Sequence, residues 1–258
     1  METIKYELVN SVGYITLNIP EKLNALRPEM KEELVELLRT IRGDSAVRAL
    51  VITGEGRAFC AGGDVSSMGD KLKNNDGRDR MRLGCDWIKE LVALEKPVVA
   101  AVNGYAFGAG LSIALACDFI IASEKGSFQS SFVNVGLVPD MAHVWALPKR
   151  VGMGKAKEMA YTGRTVRAAE ALEIGLADKV VPPEKLMDEA REMAEQLAQG
   201  PTYVIGLIKS LFRSAYHTSF QEYLDTEVNL QAAAFHTQDH VMAVKAFLEK
   251  SEKHFTGI

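Results

Sequence analysis

The amino-acid sequence predicts a mixed α/β protein with a parallel-rich core and a helical final third. Two observations carry this. Up to about residue 150, short apolar runs of strand length alternate with segments of helix length, the order that builds a parallel sheet. After about Val151 a succession of helical stretches takes over.

Residues 4–19 read as a β-hairpin. Tyr6, Leu8, Tyr14, Thr16 and Asn18 alternate in part, and Asn10-Ser11-Val12-Gly13 supplies the turn. Pro28 suits the first turn of a helix, and Met30, Leu34, Leu37, Leu38 and Ile41 fall on one face of it. Gly43 is expected to end that helix in a left-handed conformation. Residues 49–52, 97–102 and 119–122 are expected as short buried strands, separated by helices near 80–94 and 109–117. Further on, 153–161, 167–174, 184–199, 201–215, 219–235 and 238–250 look helical, with one strand at 178–181 closed by Pro182-Pro183. Leu186, Ala190, Met193, Ala194 and Leu197 form one helical stripe. Ser66-Ser67 is expected to cap the segment after it, and Met68 and Met81 suit an acyl pocket or core filling. The chain divides into residues 1–200 and a helical region at 201–258.

Composition excludes several classes. The 258 residues suffice for one large domain, and 47% apolar with 25% charged is ordinary globular composition. A net charge of −4 offers no basic surface for nucleic acid. Cys60, Cys85 and Cys117 are too few and too scattered for a disulfide framework or a zinc site, and each is expected as a small buried apolar residue. The N-terminus shows no basic segment followed by an apolar run. The longest apolar stretch is interrupted by Asn103, glycines and Asp118, which argues against a membrane span. These features point to a soluble, cytoplasmic protein. His236 and His240 share one helical face without a third ligand, so no metal is expected.

Two small-residue loops draw the chemistry. The first runs from Gly54 to Val65 and contains Ala61-Gly62-Gly63; the second, Asn103 to Leu111, contains Gly108-Ala109-Gly110 and leads into an apolar helix. Small residues admit close approach to backbone N–H groups, and a helix N-terminus offers unpaired N–H groups to a developing negative charge. No Gly-x-Gly-x-x-Gly and no phosphate-loop lysine is present, which weakens a nucleotide-binding reading. Taken alone, the first loop reads as a plain tight turn between strand and helix.

Together these residues resemble a known family. Glu21-Lys22-Leu23-Asn24-Ala25-Leu26, Phe59-Cys60-Ala61-Gly62-Gly63-Asp64, residues 96–104, Gly108-Ala109-Gly110, Cys117-Asp118 and the 168–177 segment are similar, in order and spacing, to the enoyl-CoA hydratase/isomerase (crotonase) superfamily. The resemblance covers essentially the whole chain. It implies a crotonase (ClpP-like) superhelix of ββα turns, with residues 1–200 as the α/β core and 201–258 as a helical trimerisation region, giving homotrimers or homohexamers. It implies that the N–H groups of Gly63 and Ala109 form an oxyanion hole for an acyl-CoA thioester. Lys22, Ala25, Ala61, Gly62, Gly63 and Asp64 match positions that hold coenzyme A, and Phe247 and Lys250 match contacts from a neighbouring subunit. Coenzyme A belongs to the substrate, and no separate cofactor is implied.

The resemblance also implies two glutamates in hydratases, for activating water and managing the α-proton. Their positions hold Ser112 and Phe132 here, and neither is a carboxylate. An acid follows at Asp140 in Gly136-Leu137-Val138-Pro139-Asp140. In isolation Pro-Asp reads as a turn or a helix N-cap. Double-bond and ring-epoxide isomerases of the superfamily are similar here and carry their catalytic acid at this position. The favoured activity is therefore acyl-CoA isomerisation with Asp140 as acid/base, in a pocket lined by Phe107, Phe132 and Trp145. The alternatives are a hydratase using Asp140 with a second group such as His143, an aromatic acyl-CoA dehalogenase with Asp140 as nucleophile, and a non-catalytic CoA-binding homologue.

Overall fold

The computed structural model describes residues 1–64 and 74–258. The chain begins with strands β1 (Ile4–Val9) and β2 (Val12–Leu17), helix α1 (Pro28–Gly43), strands β3 (Ala49–Gly54) and β4 (Ala58–Cys60), and helix α2 (Asn74–Ala93). It continues through β5 (Val98–Val102), β6 (Tyr105–Phe107), α3 (Ala109–Ala116), β7 (Phe119–Ser123), β8 (Ser127–Gln129), α4 (His143–Thr162), β9 (Thr165–Arg167), α5 (Ala168–Glu173) and β10 (Lys179–Val181). Helices α6 (Leu186–Ala198), α7 (Thr202–Ser214), α8 (Phe220–Phe235) and α9 (Gln238–Glu249) complete it. The expected α/β core and helical final third are both present. The capping role expected of Ser66-Ser67 and the placement of Val65 and Met68 lie outside the described residues.

Two sheets are stacked through the core. The larger has the order β1-β2-β3-β5-β7-β10, parallel except for the β1–β2 hairpin. The smaller has the order β4-β6-β8-β9, parallel except for β8–β9. Along β3 and β5 alternate residues serve opposite faces. Leu50, Ile52, Val98, Ala100 and Val102 join the main core under α1, α2 and α3. Val51, Val99 and Ala101 meet Leu186, Ala190, Ala194 and Ala198 of α6. Every residue of β5 is buried, which is why its sequence shows no alternation.

Several boundaries differ from expectation. The hairpin turn is only Asn10-Ser11, both at positive φ (50° and 63°), with Val9 already paired to Val12. Both residues left-handed is the turn that matches strand twist. Gly43 stays within α1, and the helix ends at extended Asp44 (φ −90°, ψ 107°), so glycine's freedom is not used there. Helix α4 begins ten residues earlier than expected, and Gly152 (φ 74°, ψ 158°) breaks it in two. Cys60 and Cys117 are buried as expected, with burial pushing both thiols up to about 12. Cys85 is exposed, and Met81 is 39% exposed on α2.

The helical end is attached at defined points. Lys209 on α7 donates to Lys96 O (3.1 Å) and pairs with Asp118 (2.7 Å). Arg48 bonds Gly200 O (2.7 Å) and Phe255 O (3.2 Å). Asp239 on α9 accepts from Thr256 and Gly257 of the tail. Helix α8 carries no buried residue, and Phe220, Val228 and Phe235 stand exposed on it.

Candidate active site

The first loop is stitched down by two asparagines. Asn24, fully buried, accepts from Ile19 N–H (2.9 Å) and donates to Glu55 O (3.0 Å) and Ala58 O (2.8 Å). Asn103 Nδ2 donates to Gly54 O and Gly56 O, both at 2.9 Å. Beyond them Leu26 forms an isolated parallel bridge with Gly63. Leu26 N–H donates to Gly62 O (2.7 Å), and Asp64 N–H to Leu26 O (3.3 Å). In that pattern Gly63, between the two bonds, turns its own N–H to the opposite side.

The second loop brings a helix end to the same place. Gly108 sits at φ 51°, ψ −118°, a conformation closed to residues with a Cβ. It turns the chain so that Ala109 begins α3, where a first-turn N–H has no partner within the helix. Gly110 is pressed onto β4: a Cβ there would stand 2.0 Å from the Cys60 carbonyl oxygen. A Cβ on Gly62 would lie 3.8 Å from Ala109 N, so the two loops are in contact. Among the described residues neither Gly63 N–H nor Ala109 N–H donates to a backbone carbonyl. Two N–H groups on touching loops, one at the positive end of a buried helix, form an arrangement suited to a carbonyl oxygen gaining charge.

The main chain at Asp140 is tied to this place by Ser112. The Ser112 hydroxyl lies 3.3 Å from Gly108 O, 3.2 Å from Asp140 O and 3.0 Å from His143 Nδ1. The loop carrying Asp140 is thereby fixed to the first turn of α3. Asp140 Oδ1 is shielded from solvent, and the N-cap of α4 is Ala142, not Asp140. His143 is fully buried, meets the Phe132 ring edge-on (5.3 Å, 77°), and burial lowers its pKa to about 4.

The other expected site residues are distributed unevenly. Ala61, Gly62, Gly63 and Asp64 lie together, and Arg27 pairs with Asp64 at 3.1 Å. Exposed Lys22 ends a short 3-10 turn just before Ala25, whose N–H donates to Lys22 O (3.1 Å). Phe247 (73% exposed) and Lys250 stand at the end of α9, whose ties run to α8 and the tail. A single chain does not gather them to the loops. The expected aromatic lining divides. Phe132 stands at the Gly108 turn, its Cζ 3.9 Å from where a Gly108 Cβ would lie. Trp145 instead stacks on His217 and lies under the Lys149 ammonium. With Ser112, Met141, Phe212 and Tyr216 it lines a cavity of about 420 Å3, whose walls among the described residues include neither Phe107 nor Phe132. Sequence reasoning assigned no role to Ser112 beyond its lack of a carboxylate, and none to the buried Asn24. Among the described residues no cluster of three His, Cys, Asp or Glu side chains is placed to hold a metal, and no helix is long and apolar enough to cross a membrane.

Similarity to known proteins agrees with this geometry. The sequence model described as enoyl-CoA hydratase/isomerase matches residues 7–257. The 1,2-epoxyphenylacetyl-CoA isomerase of Escherichia coli (strain K12) is 37% identical, over 100% of this chain and 99% of its own. The short-chain-enoyl-CoA hydratase of Clostridium acetobutylicum is 36% identical, over 97% of this chain and 96% of its own. The solved enoyl-CoA hydratase of Bacillus anthracis superposes with a TM-score of 0.93 at 32% identity, covering 99% of this chain and 100% of its own. A match along nearly the whole chain, in sequence and in fold, shows that the protein belongs to the enoyl-CoA hydratase/isomerase family of acyl-CoA-processing enzymes.

Proposed function

We propose that the protein isomerises an acyl-CoA, shifting a double bond or opening a conjugated ring epoxide, with Asp140 as the acid/base. The observation that carries this is the Ser112 hydroxyl, which ties Asp140 O to the turn presenting Ala109 N–H while Ser112 and Phe132 leave both hydratase glutamate positions without a carboxylate. The thioester oxygen lies between the N–H groups of Gly63 and Ala109. Asp140 removes a proton from the α carbon of a 3-enoyl-CoA; the electron pair moves onto the thioester oxygen as a dienolate, which the two N–H groups stabilise. The protonated Asp140 then returns the proton to the γ carbon. This cycle is proton-neutral and needs no cofactor beyond the coenzyme A of the substrate. Lys22, Ala25, Ala61, Gly62 and Asp64 hold the coenzyme, with Phe247 and Lys250 supplied by a neighbouring subunit of a trimer or hexamer. The exposed apolar residues of α8 and α9 support such an assembly.

The 37% identity to an isomerase supports this reading; similar identity to a hydratase supports the second, water addition to a 2-enoyl-CoA. That reading needs a further base. His143, fully buried and with its pKa lowered by that burial to about 4, is a weak base for activating water. A panel of 3-enoyl-, 2-enoyl- and aromatic acyl-CoAs assayed with wild type and Asp140→Asn tests the proposal. Isomerisation is expected to fall by about 10²-fold or more in the variant with acyl-CoA binding retained. Full activity in Asp140→Asn, or hydration as the dominant wild-type reaction, overturns it.

A further inference from the structure

We infer that Ser112 and His143 form a positioning pair that fixes the backbone carrying Asp140 against the first turn of α3. The inference rests on Asp140 being the acid/base, and it assigns a use to the two positions where hydratases of the family carry glutamates.

The loop needs a restraint. Met141 and Ala142, directly after Asp140, both take positive φ (54° and 61°). Neither is glycine, and left-handed backbone costs such residues roughly 1–2 kcal/mol each. A strained pair beside a reactive carboxylate keeps its shape only where its surroundings enforce it. Two ties enforce it here, one on each side. Asp140 O accepts from His143 N–H (3.1 Å) and from Ser112 Oγ (3.2 Å), which uses both of its lone pairs. After the kink, His143 Nδ1 meets the same Ser112 hydroxyl at 3.0 Å.

The Ser112 hydroxyl proton can go to only one of Gly108 O, Asp140 O and His143 Nδ1. A hydroxyl has one proton and two lone pairs. If Ser112 O–H donates to Asp140 O, then His143 Nδ1–H donates to Ser112 Oγ, and the chain of donors runs from ring to hydroxyl to carbonyl. A neutral ring suffices, and burial favours the neutral form. Nε2 is buried and without a partner among the described residues, so the ring is held by one nitrogen only. Phe132 closes its other flank edge-on while also touching the Gly108 turn. The residues at both former glutamate positions are thus contacts of His143. Neither Ser112 nor His143 needs to touch substrate for this.

The test uses the full-length protein and two assays. One is isomerisation of trans-3-hexenoyl-CoA. The other is exchange of the α-protons of hexanoyl-CoA with deuterated water, followed by NMR, which reads proton removal whatever the natural acyl group is. Displacing a reactive group by about 1 Å can cost about 10²-fold. Ser112→Ala and His143→Leu are expected to lower kcat for both by about 10- to 100-fold, with KM within about twofold and an unmoved pH profile. His143→Asn, whose amide can donate to Ser112 Oγ in place of Nδ1–H, is expected to recover most of that loss. Ser112→Ala removes a single oxygen and keeps the test alive if His143→Leu does not fold. Wild-type kcat in folded Ser112→Ala overturns the inference. So does a folded His143→Asn as inactive as His143→Leu, or an acid limb of the pH profile that moves in His143→Asn, since both would place the ring in the chemistry itself. Asp140→Asn separates the two claims. If it retains exchange and isomerisation, the acid/base assignment fails; if it abolishes them while Ser112→Ala does not, only the positioning pair fails.

Discussion

His143 should make the protein acid-labile over a defined window. Its ring is fully buried, and burial lowers its pKa from 6.5 to about 4. Between those values the unfolded chain binds a proton that the folded chain does not. Stability therefore rises with pH across the window, is complete above about 6.5, and is lost as pH falls toward 4. The full span of 2.5 units, 6.5 − 4, corresponds to about 3 kcal/mol, and about 2 kcal/mol of it is gone by pH 5. The measurement is urea denaturation of wild type and His143→Asn at pH 7.5, 6 and 5, at one protein concentration. Groups common to both proteins cancel in the difference, including Glu158, which Arg164 and Lys155 hold down to about 2. The stability advantage of wild type over the variant should shrink by about 2 kcal/mol between pH 7.5 and 5. An advantage independent of pH would refute a buried neutral histidine.

Three further outcomes follow from the loops. Ala109→Pro keeps a residue suited to the start of α3 but removes the N–H; kcat should fall by about 10²–10³-fold with the melting temperature little changed, whereas Ala109→Gly should stay close to wild type in a steady-state assay. Gly110→Ala drives a Cβ to 2.0 Å from Cys60 O, and calorimetry or soluble yield should register a loss of more than about 3 kcal/mol. Asn24→Ala removes three hydrogen bonds, two of them fully buried, and should cost about 2–4 kcal/mol by denaturant unfolding.

The sequence was most legible where one physical rule dominates. The single apolar face of α1 and the wholly buried β5 follow from periodicity and from an unbroken apolar run. The smaller sheet went unseen because β4, β6, β8 and β9 have three residues each, too few to show a period of two. The first half of α4 was hidden by Pro148 and Gly152, which read locally as interruptions. At the site, Gly63 and Ala109 were singled out only through the family resemblance that the order of small-residue motifs carries. The contact of Ser112 with His143 was not, because it joins residues 31 apart through tertiary packing and no local pattern encodes it. Trp145 shows the same limit: its stacking on His217, 72 residues on, decides which cavity it faces.

The contact of Gly110 with the Cys60 carbonyl oxygen has a mechanical meaning. It leaves no room for α3 to slide over β4, so the strand that leads into the first loop and the helix that follows the second act as one rigid part. The spacing between the N–H groups of Gly63 and Ala109 then belongs to the scaffold and not to the ligand. On the proposed function, the thioester that every acyl-CoA shares meets a gauge set before it binds.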